Sequence, residues 1–144
     1  MTVIAWDGKT LAADKQATFG GTPVPFTKLF RHGAEVIGCC GNISESLQFV
    51  EWYRKGEPTD GKPHVEDGFA ALVVQNGKLY RYEKQMVPLP LDVTIWGAGS
   101  GADYAIGAMA AGCSAVEAVE IACRFDIHCG LGVDSITVGA TQPD

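Results

Sequence analysis

Short hydrophobic runs separated by turn residues make up the first part of the chain. Residues 2–6 and 9–14 are two such runs with β-strand character, and the Asp7-Gly8 dipeptide between them favours a tight hairpin turn. Residues 18–25 are rich in Gly and Pro and are predicted to form a loop. The pattern therefore predicts that two antiparallel strands open the chain.

A second pair of strands is predicted by the hydrophobic residues of 26–30 and 35–40. Asn42 then stands where a helix N-cap is expected, and Glu45 occupies the third helical position of a capping box. Apolar residues recur at helical spacing from there and predict a helix over residues 42–55. Four strands are thus expected before the first helix.

The next segment, residues 56–68, combines glycines, prolines and acidic residues. This mixture is typical of a surface loop rather than of a linker between two domains. Beyond it, residues 69–75 and 79–83 are β-prone and flank the Asn76-Gly77 dipeptide, which favours a tight turn. We expect another hairpin here, within the same domain.

The last third of the chain changes from strand to helix. Residues 92–96 predict a strand that leads into a Gly-rich stretch, and an alanine-rich helix begins near Asp103. Ser114 and Glu117 form a second capping box, and residues 135–140 predict a final strand. The order of strands, helix, strands, two helices and strand fits an α+β sandwich with helices on the outer faces of two sheets.

Length and composition agree with one globular domain over residues 1–144. Hydrophobic residues make up 47% of the chain and charged residues 19%, which argues against a disordered or membrane class. No apolar run approaches the roughly 18 to 20 residues that span a bilayer, and the N-terminal residues lack the basic head of a signal peptide. We therefore expect a cytoplasmic protein with no membrane partner.

The net charge bears on nucleic-acid binding, and the cysteine spacing bears on metal sites and disulfides. A net charge of -6 argues against nucleic acid as a partner, since binding to phosphates needs a basic face. The five cysteines are an odd number, and none lies in a Cys-x-x-Cys pair. Cys39 and Cys40 fall on a predicted buried strand, which favours reduced, buried thiols. No metal and no other cofactor is expected.

Five segments of the sequence, taken in order, carry a resemblance to a known family. They are TVIAWDGKTLAADKQAT, FTKLF, VIGCCGN, WGAGSGADYA and FDIHCGLGVDSITV. Together they are similar to the β-type subunits of proteasomes and, more closely, to the bacterial HslV-type peptidases. The resemblance implies a four-layer αββα sandwich of the N-terminal-nucleophile (Ntn) hydrolase type. Because one helix stands where the family has two, the helical layer is expected to be shortened.

The resemblance implies that Thr2 is the catalytic nucleophile. A threonine hydroxyl needs a base to take its proton, and the α-amine of an N-terminal threonine, with an ordinary pKa of about 7.7 to 8.0, is such a base. Thr2 meets this condition only after Met1 is removed, which is the normal fate of an initiator methionine before a small residue. The alternative is that the chain begins with Met-Thr by chance.

Asp14 and Lys28 match the acidic residue and the lysine that lie beside the nucleophile in this family. A positive charge near the Thr2 hydroxyl would favour loss of its proton, and a carboxylate would orient the lysine. The alternatives are that Asp14 is a turn residue at a strand end and that Lys28 lies on a solvated strand face.

Gly38 matches the glycine whose backbone N–H forms the oxyanion hole, with a strand bulge as the alternative. Ser100 matches the serine that lies near the nucleophile's amine. A phosphate loop is a competing interpretation of the Gly-rich stretch around Ser100, but the stretch lacks the lysine of a Walker motif.

Asp126 and Cys129 stand where the proteasome subunits have an aspartate and a serine. Because a thiol replaces a hydroxyl only as a weak hydrogen-bonding group, the resemblance leaves the role of Cys129 open. Asp126 is counted with the catalytic set, and the alternative is that it orients the local backbone. Four uncharged residues match the positions that line the pocket for the residue before the scissile bond (P1). They are Ala17, Phe26, Val36 and Cys40.

Two functions are therefore predicted as alternatives. The first is a threonine peptidase, or amidase, that acts on peptides or unfolded proteins through an acyl-enzyme on Thr2. The second is a catalytically silent structural subunit. The resemblance implies self-association into a homo-oligomer, for which the alanine-rich residues 105–111 permit close helix approach, and an AAA+ ATPase unfoldase as a further partner.

Overall fold

Eleven strands and three helices form residues 2–139, the part of the chain that the computed structural model describes. The strands are β1 (Ile4–Trp6), β2 (Thr10–Asp14), β3 (Gln16–Phe19), β4 (Thr22–Pro25), β5 (Leu29–His32), β6 (Glu35–Cys40), β7 (Ala70–Gln75), β8 (Lys78–Tyr82), β9 (Leu89–Leu91), β10 (Trp96–Ala98) and β11 (Val133–Thr137). The helices are α1 (Ile43–Arg54), α2 (Ala102–Ala110) and α3 (Ala115–Phe125).

Two antiparallel sheets form the centre of the molecule. The first sheet has the strand order β10-β1-β2-β11, and the second is a meander of β5 to β9 in sequence order. The strands β3 and β4 form a separate hairpin. In the first sheet the end strands β10 and β11 come from the far end of the chain, so this sheet brings the N-terminal residues next to residues 96–98 and 133–137.

The two sheets pack face to face around a hydrophobic layer. Side chains of β1 and β2, such as Ile4 and Leu11, meet side chains of the second sheet, such as Val36, Leu72 and Val74. These side chains are at most 1% exposed. Burial of their apolar surface stabilises the sandwich by about 25 cal/mol per Å² removed from water.

The helices cover the two outer faces of the sandwich. On the second sheet, α1 contributes Phe49 and Tyr53 to an aromatic cluster that includes Phe69 and Tyr82. On the first sheet, α2 and α3 pack through small residues against β1 and β2. The result is the predicted four-layer αββα sandwich, and α1 is the one helix that residues 2–139 place on the second sheet.

Both predicted capping boxes are present in the structure. The Asn42 side chain accepts a hydrogen bond from the backbone of the first turn of α1, and the Asn42 backbone N–H donates one to the Glu45 carboxylate. Ser114 and Glu117 form the same reciprocal pair at α3. The segment 56–68 contains neither helix nor strand, as its composition predicted.

The structure differs from the sequence prediction in three places: one predicted loop, one predicted strand and one strand that was not predicted. Residues 18–25, predicted as a loop, form most of the β3–β4 hairpin, because Gly20 and Gly21 adopt the positive φ angles of a tight turn. Residues 92–96 are not a strand, since β10 begins at Trp96. The pattern missed β9, a short edge strand that includes a proline.

The lengths of the helices bear on whether one of them could span a membrane. None of the helices within residues 2–139 is both long enough and apolar enough to cross a membrane.

Candidate active site

Thr2 lies at the beginning of the first sheet and is 3% exposed. Its hydroxyl oxygen Oγ1 accepts a hydrogen bond from Lys28 Nζ at 3.0 Å. Lys28 immediately precedes β5 of the second sheet and is 7% exposed. The hydroxyl therefore lies between the two sheets, in contact with a buried ammonium group.

Asp14 holds that ammonium group in place. Its carboxylate is fully buried at the end of β2 and accepts a hydrogen bond from Lys28 Nζ at 2.8 Å. Backbone N–H groups of Val3, Gln16 and Gly130 also donate to the carboxylate, each at 3.1 Å. Because a buried charge is tolerated only when it is paired and hydrogen-bonded, this set of donors explains how Asp14 and Lys28 both remain inside the protein.

Ser100 contacts the main chain of the same threonine. The backbone nitrogen of Thr2 donates to Ser100 Oγ at 3.3 Å. Gly101 N–H donates to the Thr2 carbonyl oxygen at 3.2 Å. At Gly99, whose φ is +93°, a Cβ atom would lie 2.1 Å from that carbonyl oxygen, so only glycine fits here. The Gly-rich stretch thus holds the main chain of Thr2 in place.

Asp126 follows α3 and extends this contact. Burial works to raise the pKa of its carboxyl, but hydrogen bonds from the Ser100 hydroxyl, the His128 N–H and the Cys129 thiol outweigh it and lower the pKa. The carboxylate is therefore charged at neutral pH. It orients Ser100, which in turn contacts the nitrogen of Thr2.

The structure also places Cys129, whose role the sequence left open. Its thiol is 5% exposed, and burial together with the negative charges of Asp14 and Asp126 raises its pKa to about 12. The thiol thus stays protonated and serves as a hydrogen-bond donor to Asp126. A serine hydroxyl in the same position would donate the same hydrogen bond.

Gly38 lies away from this cluster. It is in the middle of β6, paired with strands on both sides, and a Cβ atom there would lie 3.0 to 3.2 Å from side-chain atoms of Ile4 and Leu29. Glycine is needed at this point because the two sheets approach closely. The glycine that reaches the site is Gly41, which follows β6 and precedes α1 with φ of +122°.

A small cavity of about 20 Å³ adjoins Thr2. Its wall includes residues 26–28, which directly precede β5, and Gly41, with Cys39, Ile43 and Ser46 forming the part near α1. Of the four residues predicted to form the substrate pocket, Phe26 is the one that lines this cavity.

The other three predicted pocket residues point elsewhere. Ala17 is buried in the β3–β4 hairpin, and Val36 belongs to the hydrophobic layer between the sheets. Cys40 lines a second, open cleft of about 500 Å³ together with Gly41 and Ser100. Side chains alternate along β6, so Cys39 and Cys40 face opposite sides of the sheet, and Cys39 is the one that lines the small cavity.

Solved structures of other proteins share this fold. Thiobacillus denitrificans BPH in complex with epoxomicin has a TM-score of 0.73 and 18% identity, over 95% of this chain and 97% of that chain. A second structure of Thiobacillus denitrificans BPH has a TM-score of 0.72 and 19% identity, over 95% and 97% of the two chains. Eukaryotic HslV from Trypanosoma brucei has a TM-score of 0.66 and 19% identity, over 94% and 97%.

By sequence, the chain matches no family model and no curated protein. The structural likeness nevertheless spans almost the whole of both chains. The chain therefore has the proteasome-like fold of HslV, which is the fold that its sequence motifs predicted.

The role of the Gly-rich stretch in holding Thr2 can be tested by replacing Gly99. Replacing Gly99 by Ala adds a methyl group that overlaps the Thr2 carbonyl oxygen and strains a positive φ, so we expect the free energy of unfolding to fall by at least about 2 kcal/mol. The matched control is Gly107→Ala in α2, where an added Cβ would meet no atom within 4 Å besides the adjacent backbone of its own helix, and a gain of about 0.5–1 kcal/mol is expected. Urea denaturation measures both. Equal stability of the two variants would contradict this account.

Proposed function

We propose that this chain is a threonine peptidase of the Ntn-hydrolase type, with Thr2 as its nucleophile after removal of Met1. The observation that carries the proposal is the environment of Thr2. Its hydroxyl accepts a hydrogen bond from the buried Lys28–Asp14 pair, and its nitrogen contacts the Ser100 hydroxyl. A chain with no chemistry to perform would gain little from burying two charges around one hydroxyl, because desolvating them costs several kcal/mol.

The proposed reaction proceeds through an ester of Thr2. The α-amine of the processed chain takes the hydroxyl proton while Oγ1 attacks the carbonyl carbon of the substrate. As the C–N bond breaks, the same proton passes to the departing amine. Water then attacks the ester, the α-amine takes a proton from it, and Thr2 regains its hydroxyl proton as the acid product leaves. Lys28 stabilises negative charge that develops on Oγ1 during both attacks.

Gly41 is the proposed donor to the oxyanion, in place of Gly38. It lines both the small cavity and the larger cleft, so its backbone lies where the two parts of a bound substrate meet. It also immediately precedes the capped N-terminus of α1, where backbone N–H groups favour negative charge. A side chain is disfavoured here, since a Cβ atom would lie 3.2 Å from the backbone of Phe69.

Activity can be tested by comparing processed protein with protein that retains Met1. We expect the processed form to cleave peptides and to be labelled at Thr2 by epoxomicin, a compound that the solved BPH structure contains. Thr2→Ala is expected to abolish turnover, and Lys28→Ala to lower kcat at least by a factor of about 10² to 10⁴. Intact-protein mass spectrometry measures the labelling by epoxomicin, and a fluorogenic peptide measures the cleavage.

The matched control is Thr10→Ala, which removes a hydroxyl that bonds to Thr137 away from the site. It should retain full activity, and circular dichroism should show every variant folded. If assembled, processed protein neither reacts with epoxomicin nor cleaves peptides, the silent structural subunit becomes the function of this chain. Full activity of Thr2→Ala would have the same meaning.

Substrate preference follows from the size of the small cavity. About 20 Å³ is room for one or two water molecules, so we expect small apolar P1 residues such as Ala to be preferred over Phe by about tenfold or more in kcat/KM. Acidic P1 residues should be poor, because an unpaired carboxylate would be desolvated there. A peptide panel that varies P1 alone measures this preference.

Ile43→Ala, which enlarges the cavity, should shift the optimum toward Val or Leu. Leu47→Ala, on the same helix at a side chain that is 48% exposed, should leave the preference unchanged. A wild-type preference for Phe or Glu at P1 would contradict the assignment of this cavity.

Self-association is also proposed, as the sequence predicted, but through a different surface. Ala105 of the alanine-rich stretch is fully buried against its own sheet. The ring of Tyr104 stacks on that of Phe125 with centroids 5.5 Å apart, and Ile127 and Leu131 are exposed apolar side chains of the segment that follows. Exposed apolar patches of this kind mark contact surfaces between proteins.

We expect light scattering to give an oligomer at micromolar concentration, and Ile127→Ser to weaken it, because this side chain is 84% exposed. Val93→Ser, at another exposed apolar side chain, is the control and should not alter the molar mass. A monomeric wild type would contradict the proposal. An AAA+ ATPase partner and a cytoplasmic location remain part of the proposed function.

A further inference from the structure

The open cleft of about 500 Å³ is a second place where a substrate can bind. It begins at Gly41 and Ser100 beside the nucleophile and extends to the ends of β7 and β8, where Arg81 and Lys84 line it. The small cavity next to Thr2 has room for a single small side chain, whereas this cleft is large enough for several atoms of peptide backbone and side chain.

The chemistry proposed for Thr2 determines which part of a substrate enters the cleft. The departing amine must take its proton from the α-amine of Thr2, and that nitrogen contacts Ser100. Ser100 lines the cleft and is not among the residues that line the small cavity. The leaving-group part of the substrate, on the C-terminal side of the scissile bond, therefore points into the cleft.

Two cations line the cleft, and each is paired with a carboxylate that also lines it, Arg81 with Glu83 and Lys84 with Asp67. Arg81 is held by Glu83, whose carboxylate accepts a hydrogen bond from Nε at 2.9 Å, and its side chain is 27% exposed. The acidic residue Asp67 is 93% exposed at its side chain, so water screens its charge, and it is already paired with Lys84. At the floor, burial raises the pKa of Cys40, while the positive charges of Arg81 and Lys28 oppose this.

We propose that Arg81 binds a carboxylate in the leaving-group part of the substrate, which makes the enzyme selective for peptides that are acidic on that side. The inference rests on the proposed peptidase function. A guanidinium group has five N–H donors in a planar fork, and only Nε–H is used in the ion pair with Glu83 that orients it. The carboxylate is either an acidic side chain or the C-terminus of a short peptide.

The test uses processed, assembled protein and internally quenched peptides with one fixed acyl side. One set carries Glu or Gln at each of the three positions after the scissile bond, with an amidated C-terminus. A second set is neutral and ends in either a free acid or an amide. We expect one acidic form to exceed its neutral partner about tenfold in kcat/KM, the value of a charge-assisted hydrogen bond. The set that shows the effect identifies the source of the carboxylate.

Variants connect the preference to Arg81. Arg81→Gln should abolish the preference and Arg81→Lys should retain part of it, whereas Lys78→Gln, an exposed cation at the other end of β8, should leave it unchanged. Added salt should reduce the wild-type ratio, which gives a second measurement if Arg81→Gln does not fold. Labelling by epoxomicin and cleavage of a substrate with a small fluorogenic leaving group should be the same in wild type and in the control Lys78→Gln.

The outcomes separate this inference from the peptidase proposal. Equal rates on acidic and neutral peptides, or a preference that persists in Arg81→Gln, would overturn the role of Arg81 while cleavage and labelling leave the peptidase standing. Absence of both cleavage and labelling in the wild type would overturn the two together.

Discussion

The candidate site depends on one buried ion pair, between Lys28 and Asp14. Its two members come from different sheets, and the hydroxyl of Thr2 lies within hydrogen-bond reach of the ammonium group. Breaking a buried pair of this kind by removing one partner costs about 3–5 kcal/mol, so the position of the sheets and the position of the charges stabilise each other. The fold and the proposed chemistry therefore share the same interaction.

Hydrogen bonds around Asp14 explain how the pair is fixed in one geometry. Val3, Gln16 and Gly130 donate to it from three parts of the backbone, including the loop that follows α3. The same loop carries Asp126, which orients Ser100. The hydroxyl and the nitrogen of Thr2 are thus both connected to the loop between α3 and β11, the first through Lys28 and Asp14 and the second through Ser100.

The two cavities give the site an asymmetry that no single residue provides. One is small and adjoins the hydroxyl, and the other is open and adjoins Ser100. Gly41 lines both of them. In the proposed reaction the acyl side of a peptide would occupy the small cavity and its leaving group the wide cleft that Arg81 lines, which is the physical basis of the selectivity proposed for Arg81.

Local signals in the sequence determined the helices and most of the strands. The capping boxes at Asn42 and Ser114 and the turn at Asn76 act between residues close in the chain, so their physics is contained in a short window. The predicted fold class was confirmed. It could be predicted because the motifs that carry it are distributed over nearly the whole chain. The segment 18–25 was mispredicted because Gly-rich composition is equally typical of loops and of hairpin turns.

Positions within the site were decided by tertiary structure. Gly38 lies within β6 and Gly41 directly follows it, and only the packing of Ile4 against Gly38 shows that this residue belongs to the core. The face on which Cys39 or Cys40 lies depends on strand register, which a one-residue shift reverses. The sequence by itself determined which residue types were available for catalysis. Which of them meet around Thr2 is a property of contacts between distant parts of the chain, and these exist only once the sheets are packed.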